Sequence, residues 1–388
     1  MNLRVSKLFF ILTPYGIVII TVLLSFLAWV TPDFGFFIKG FEAIALTPKA
    51  ILYFITWYSL ILFFSWLGFL LGKRYYLKTS FFKHLASLDD GFIYLAFSIF
   101  GSIGGLYALY YIWQNIGWTG IIHAISTSQA NILKIALYEN YSIGIFSLRY
   151  LTILSGGLAI YRMLSKISFH ILDFFNLFLL LLISGIASRL SFVAACIIGV
   201  GLWIINDPRE TIKIPISKSI LAILVLFILF SAYNSARNAG FYSEKRGIDS
   251  FYVAGASEIL SYLGTPFQGS LTAGEHFNSL NRGGDIFVLG DIDDRLTTNS
   301  AFAELTKDYG YYSFFIIAVA SFCSASMMGF LRYQLDTYLA LIYFVLLYCF
   351  SELWRIFMFN KGIVITLLIF SLVLPVGMGF LKALFARK

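Results

Sequence analysis

The sequence predicts an all-α polytopic membrane protein of about ten transmembrane helices carrying one long extramembrane loop. Three observations predict it. Hydrophobic residues make up 59% of the 388-residue chain and charged residues only 12%. The mean hydropathy is +0.84, which a water-soluble domain could carry only with large exposed apolar patches. The apolar residues also fall in continuous runs of about 20, long enough for membrane helices, rather than in the alternating stretches of about ten that build a membrane barrel.

The elements follow in order. "MNLRVSKLFFILTPYGIVIITVLLSFLAWV" begins like a signal peptide, but its apolar run is too long and no small-residue cleavage site follows, so it reads as a retained first helix over 8–30. Further spans are expected at 50–71, 91–113 and 142–164. In the third of the four, Gly101 and Gly105 form a GxxxG pattern suited to close helix packing. The stretch 169–206 is too long for one crossing and divides into 169–187 and 191–206, with a tight hairpin at "SGIASRLS" that puts Arg189 near the water. A span at 218–236 precedes the loop, and 310–331, 337–354 and 362–384 follow it. The chain thus divides into helices one to seven (1–236), a loop subdomain (237–308) and helices eight to ten (309–388).

Within the loop, "SFYVAGASEILSYLG" has apolar residues at helical spacing and is expected to lie at the membrane surface. The loops 31–49 and 114–142 share that amphipathic character. With the N-terminus inside, the inner loops and tails sum to about +9 and the outer ones to about −1. The positive-inside rule therefore puts both termini in the cytoplasm and the long loop outside, and the net charge of +8 points to membrane orientation, not to nucleic acid. Cys196, Cys323 and Cys349 lie far apart in apolar segments and read as small buried hydrophobes. The chain has no HExxH, GxSxG or Walker motif to support a zinc protease, serine hydrolase or P-loop pump.

The informative charges sit toward the outer side. Arg149 lies just below the outer end of its span, Arg189 on the hairpin, Arg237 at the end of the seventh span, and Glu352 with Arg355 at the end of the ninth. On the inner half only Asp173 is comparable. Arginine's planar fork binds phosphate in bidentate fashion, which can offset the burial of its charge. The plainer reading is that these arginines snorkel to the interface or pair with Glu139 and Glu352. Candidate bases in the loop are Glu258, Glu275, His276, Asp285 and the acids of "GDIDDR", and the aromatics Phe241, Tyr242, Phe251, Tyr252 and Tyr262 could stack on sugars or anchor at the interface. The "DID" at 291–293 matches a metal-holding DxD pattern but reads better as a solvated turn.

"LISGIASRLSFVAACIIGVGLWII" resembles the G-x-R hairpin segment of bacterial O-antigen repeat-unit polymerases of the Wzy type, although Gly185 and Arg189 here are separated by three residues rather than one. "LTTNSAFAELTKDYGYYSFFIIAVASF" resembles the stretch that follows their periplasmic loop. The resemblance implies a GT-C-like bundle in the bacterial inner membrane, with the long loop periplasmic. It implies a glycosyltransferase that polymerises undecaprenyl-pyrophosphate-linked oligosaccharide repeats without metal or cofactor. It matches Arg189 to the hairpin arginine, and Thr298, Asn299, Asp308, Tyr309 and Gly310 to the post-loop motif. On that reading Arg189, Arg237 and Arg355 bind the donor pyrophosphate, Arg149 assists, and Arg246 meets the acceptor sugars with Glu258 or His276. Glu352, Asn299, Asp308 and Tyr309 complete the substrate-binding set. Donor and acceptor lipids, membrane lipids and a chain-length regulator of the polysaccharide co-polymerase type are the expected partners. An O-antigen ligase, which resembles these enzymes and uses a loop histidine, and a lipid-linked oligosaccharide flippase are the alternatives.

Overall fold

The computed structural model describes residues 2–3, 9–32, 39–75, 87–88, 90–127, 131–139, 144–165, 167, 170–206, 214–215, 221, 224–225, 227–235, 239, 242–243, 247–292 and 300–385. Among them the structure is helical apart from a two-residue antiparallel pairing of Asn2–Leu3 with Ile214–Pro215 and two isolated bridges. The helices are α1 (Pro14–Val30), α2 (Pro48–Arg74), α3 (Gly91–Ser126), α4 (Asn131–Tyr138), α5 (Leu151–Leu164), α6 (Ile171–Ile186) and α7 (Arg189–Asn206). After the helical stretch 227–235 come α8 (Phe251–Glu275), α9 (Phe277–Asn281), α10 (Ile286–Leu289), α11 (Ala301–Tyr309), α12 (Tyr312–Leu331), α13 (Ala340–Glu352) and α14 (Gly362–Phe385).

Among the described residues, five helices are long and apolar enough to cross a membrane: Pro48–Arg74, Gly91–Ser126, Arg189–Asn206, Tyr312–Gln334 and Gly362–Phe380. Pro14–Val30, Ile171–Ile186 and Ala340–Glu352 are apolar but shorter. This architecture is consistent with a helical membrane protein. Local chemistry sets several helix starts. Thr13 and Thr47 each cap the backbone N–H three residues on and are followed by proline, whose missing N–H costs nothing at the first helical position. The expected span at 142–164 is shortened, because a 3-10 turn over Ile145–Tyr150 leads into a helix of only 14 residues. The third expected span instead runs on to Ser126, past a break at Gly117, whose φ of 63° suits glycine.

The core centres on α13, every residue of which is buried. An all-round apolar helix of this kind is one surrounded by other helices, and α13 packs against α1, α7, α12 and α14. The GxxxG region of α3 does mark close packing. A Cβ on Gly101 would lie 3.0 Å from Ser155 Oγ, and one on Gly104 only 2.1 Å from the carbonyl carbon of Leu148. Of the three free cysteines Cys349 is buried and Cys196 half-buried, but Cys323 is exposed, on the outer surface of α12.

At the end of the bundle away from the 187–188 turn, Asp173 is fully buried and forms a polar knot. It accepts hydrogen bonds from Tyr94 Oη (2.6 Å), Arg162 Nε (3.2 Å) and the His170 backbone N–H (2.9 Å). Asn176 adds bonds to Tyr94 Oη at 2.8 Å and Ser98 Oγ at 2.7 Å. The Asp173 carboxylate is thus paired inside the helix packing instead of meeting lipid.

Candidate functional site

The hairpin expected at 184–191 is present as a two-residue connection, Ala187–Ser188, between α6 and α7, and Arg189 is the first residue of α7. Its guanidinium donates from Nη2 to Glu258 Oε1 at 2.7 Å and from Nη1 to Asn234 Oδ1. Glu258 comes from α8 and Asn234 from the 227–235 stretch, so three separate parts of the chain meet at this side chain.

The short amphipathic helix expected over 250–264 is longer and more enclosed by protein than its pattern suggested. The helix extends to Glu275 and is buried over most of its length, from Ala254 to Gly274. Its small and hydroxyl side chains explain why. A Cβ on Gly255 would lie 1.9 Å from the Ser231 carbonyl oxygen, so the two backbones touch there. Ser231 Oγ donates to the Tyr252 carbonyl at 2.8 Å, Ser25 Oγ to that of Leu263 at 2.6 Å, and Trp29 Nε1 to Gln268 Oε1 at 2.7 Å. The apolar periodicity was there, but the opposite face is made of glycine, alanine and serine, which pack against helices as well as they face water.

Tyr262, one turn after Glu258 on α8, lies between two guanidiniums. The Arg189 Cζ is 5.6 Å from its ring centre and the Arg355 Cζ 4.9 Å, within range for cation–π attraction. Arg355 Nη1 also donates to Tyr262 Oη at 2.5 Å, and its Nε donates to Glu352 Oε2. Arg355 is only 2% exposed, and its Nη2 has no hydrogen-bond partner among the described residues. Burial alone lowers the Arg355 pKa, but Glu352, with Tyr262 and Tyr348, more than offsets it, so the guanidinium lies above its ordinary value and stays charged. The pairing of Arg355 with Glu352 is the plainer of the two readings of that residue; the unmatched Nη2 is what it leaves over.

Arg149 is fully buried at the end of the 3-10 turn. Its guanidinium lies 5.0 Å from the Tyr138 ring centre and 4.8 Å from that of Tyr150, and donates to Tyr150 Oη at 3.0 Å. Two cavities meet at the hairpin crest, both lined by Ala187, Ser188 and Leu190. One, of about 330 Å³, is polar at one end, with Lys134, Arg189, Asn234 and Tyr262, and walled elsewhere by Val193, Phe227, Phe230, Ile259 and Leu263. The other, of about 160 Å³, contains Arg149, Tyr138, Tyr150 and Tyr348, the last with a buried hydroxyl that no described residue bonds. The charged residues that line these two cavities, among those described, are Lys134, Arg149 and Arg189, all cationic, with Glu258 paired to Arg189. A site with this surplus favours an anion, and the apolar wall beside it favours one with a hydrocarbon tail.

Of the other residues singled out in the sequence, Arg237, Arg246, Thr298 and Asn299 lie outside the described residues. His276 is not brought to the arginines. It is the C-cap of α8, about 27 Å along the helix axis from Glu258 at 1.5 Å per residue, and it lines neither of the two cavities at the crest. Glu275 likewise faces away, accepting a hydrogen bond from Thr47 Oγ1. Asp308 and Tyr309 are exposed at the end of α11, and Gly310 closes that helix with a φ of 53° and no room for a Cβ beside Asn281. Asp291 is an exposed turn residue with a φ of 47°, and Asp293 lies outside the described residues. Asn234, Lys134 and Tyr348 were missed by sequence reasoning. Tyr262 reads in the sequence as an aromatic that stacks on sugars or anchors at the interface, though its i, i+4 spacing from Glu258 puts both on one face of a helix and ties it to the charge cluster.

No protein-family model matches the chain, and no curated protein or solved structure matches it.

Proposed function

We propose that the chain is a glycosyltransferase that polymerises polyprenyl-pyrophosphate-linked oligosaccharide repeats, as in O-antigen assembly, at the periplasmic face of a bacterial inner membrane. The observation that carries the reading is the pair of cavities at one crest, lined by Arg149 and by Arg189 with Lys134, the latter with an apolar remaining wall and with Arg355 joined to it through Tyr262. In this reading the spans number ten, both termini are cytoplasmic, and the crest and α8–α11 face the periplasm. The diphosphate of the donor lies against Arg189 and Lys134, with Arg149 behind the crest and Arg355 reaching it through Tyr262. The polyprenyl chain leaves between Val193, Phe227 and Phe230.

The chemistry is a displacement. An acceptor hydroxyl oxygen bonds to the anomeric carbon of the donor sugar, and the bond from that carbon to the diphosphate oxygen breaks. The electron pair departs with the diphosphate, where the guanidiniums stabilise it. The hydroxyl proton passes to the Glu258 carboxylate. Glu258 pairs with Arg189; a diphosphate bound to Arg189 competes for that guanidinium and leaves a carboxylate oxygen to accept the proton. The ligase alternative leaned on a loop histidine, and His276 lies at the far end of α8 from this cluster.

The test is complementation of a strain lacking the gene. Wild type restores a full ladder of chain lengths, while Arg189→Ala gives single-unit lipopolysaccharide. A full ladder from Arg189→Ala removes the arginine from the mechanism, and a purified protein that moves the lipid-linked substrate across liposomes without elongating it removes the polymerase reading.

A further inference from the structure

Arg355 separates two cavities. On one side its Nη1 bonds Tyr262, which lines the apolar-walled cavity described above. On the other, Arg355 itself lines a second cavity of about 330 Å³, together with Asp285, Glu304, Lys307, Asp308 and Lys361. The two cavities differ in kind. The second is bounded mostly by charged side chains, three of each sign, with Ile286, Phe287 and Ile356 supplying apolar contact.

The elements that build this second cavity are tied together. Glu304, on α11, accepts from the Phe357 backbone N–H at 3.0 Å and from Lys361 Nζ, which pins α11 to the segment joining α13 and α14. Asp285 caps α10 through the Phe287 N–H at 3.0 Å. Lys307 and Asp308 stand exposed on the last turn of α11. Buried in the wall is Arg355, whose Nη2 no described residue bonds.

The charge pattern says what this cavity takes. A phosphate is opposed by Asp285, Glu304 and Asp308, and a cation by Arg355, Lys307 and Lys361. A polyhydroxyl ligand suits both sets, because each sugar hydroxyl donates to a carboxylate and accepts from a guanidinium or ammonium. We infer that the cavity bounded by Asp285, Glu304, Lys307, Asp308, Arg355 and Lys361 is the subsite for the terminal sugars of the acceptor glycan, held one side chain away from the diphosphate site. This rests on the polymerase reading above and adds to it the place and chemical class of the second substrate.

The test uses the purified full-length protein in detergent and two probes. One is the lipid-free repeat-unit oligosaccharide released by mild acid from the single-unit lipopolysaccharide of the deletion strain. The other is geranylgeranyl diphosphate. Wild type binds both. Lys307→Ala/Asp308→Asn, at two exposed positions, weakens oligosaccharide binding at least tenfold and leaves diphosphate binding unchanged, and Arg189→Ala does the reverse. Oligosaccharide binding that is absent in wild type, or unaltered in the double variant, overturns the acceptor subsite. Diphosphate binding unaltered in Arg189→Ala overturns the donor site instead, so the two failures are distinguishable. If the double variant unfolds, Asp308→Asn alone, which keeps the side-chain shape, gives the same comparison, with thermal unfolding as the control for folding.

Discussion

Removing Arg189 has two consequences that can be separated, one for stability and one for binding. The Arg189–Glu258 pair is short, at 2.7 Å, with side-chain exposures of 24% and 8%. Stranding the carboxylate of a fully buried pair costs about 3–5 kcal/mol. Because water reaches a quarter of Arg189, the expected loss of stability for Arg189→Ala is discounted to about 2–3 kcal/mol. Glu258→Gln in that background removes the carboxylate charge that Arg189 balanced and recovers most of the loss. Binding behaves differently. Two charge-assisted hydrogen bonds from the guanidinium to a diphosphate, at the lower end of their range, contribute about 3 kcal/mol, which is roughly a 150-fold change in affinity. Relieving the charge of Glu258 does not replace those donors. Arg189→Ala and Arg189→Ala/Glu258→Gln should therefore both bind geranylgeranyl diphosphate roughly 150-fold more weakly than wild type by isothermal titration, while thermal unfolding shows only the single variant to be strongly destabilised. A double variant that binds like wild type refutes the anchoring role, and a single variant as stable as wild type refutes the assignment of Glu258 as a buried, dependent partner.

Three further outcomes follow from the packing. Gly104→Ala places a methyl 2.1 Å from the Leu148 carbonyl carbon and 2.2 Å from the Arg149 nitrogen, so it should destabilise the protein by about 1–3 kcal/mol and reduce polymerisation by displacing Arg149; a neutral substitution by thermal unfolding and chain-length ladder contradicts this. Asp173→Ala leaves the 6%-exposed Arg162 without its carboxylate and should cost about 3–5 kcal/mol, which Asp173→Ala/Arg162→Leu largely restores; equal unfolding temperatures for wild type and the single variant contradict it. His276→Ala should leave the ladder of chain lengths intact, whereas Glu258→Gln abolishes it, and loss of polymer in the histidine variant counts against Glu258 as the base.

Composition and run length made the helical class and several of the helices legible. The division of 169–206 into two helices was readable because a 38-residue crossing has no physical sense, and the break falls at Ala187–Ser188. The shape of 237–308 was not. Small residues on the second face of α8 carry no polarity signal, so a helix buried between other helices reads like one lying on a surface. The arginines were legible as isolated charges in apolar surroundings; Arg189 and Arg355 meet at Tyr262, and Arg149 lines the cavity next to that of Arg189. Their partners were harder to see. Asn234 reaches Arg189 from 45 positions away in the chain and Tyr262 reaches Arg355 from 93, and no local pattern encodes such pairings. The polar cavity behind Arg355 was invisible for the same reason, since it joins α10, α11 and the segment after α13.

The most direct measurement is an electron cryo-microscopy structure of the protein in lipid nanodiscs with undecaprenyl diphosphate. The account predicts phosphate density within hydrogen-bonding distance of the Arg189 guanidinium, with the prenyl chain running along Phe227 and Phe230. Diphosphate density elsewhere, with the Arg189–Glu258 pair undisturbed, would contradict it.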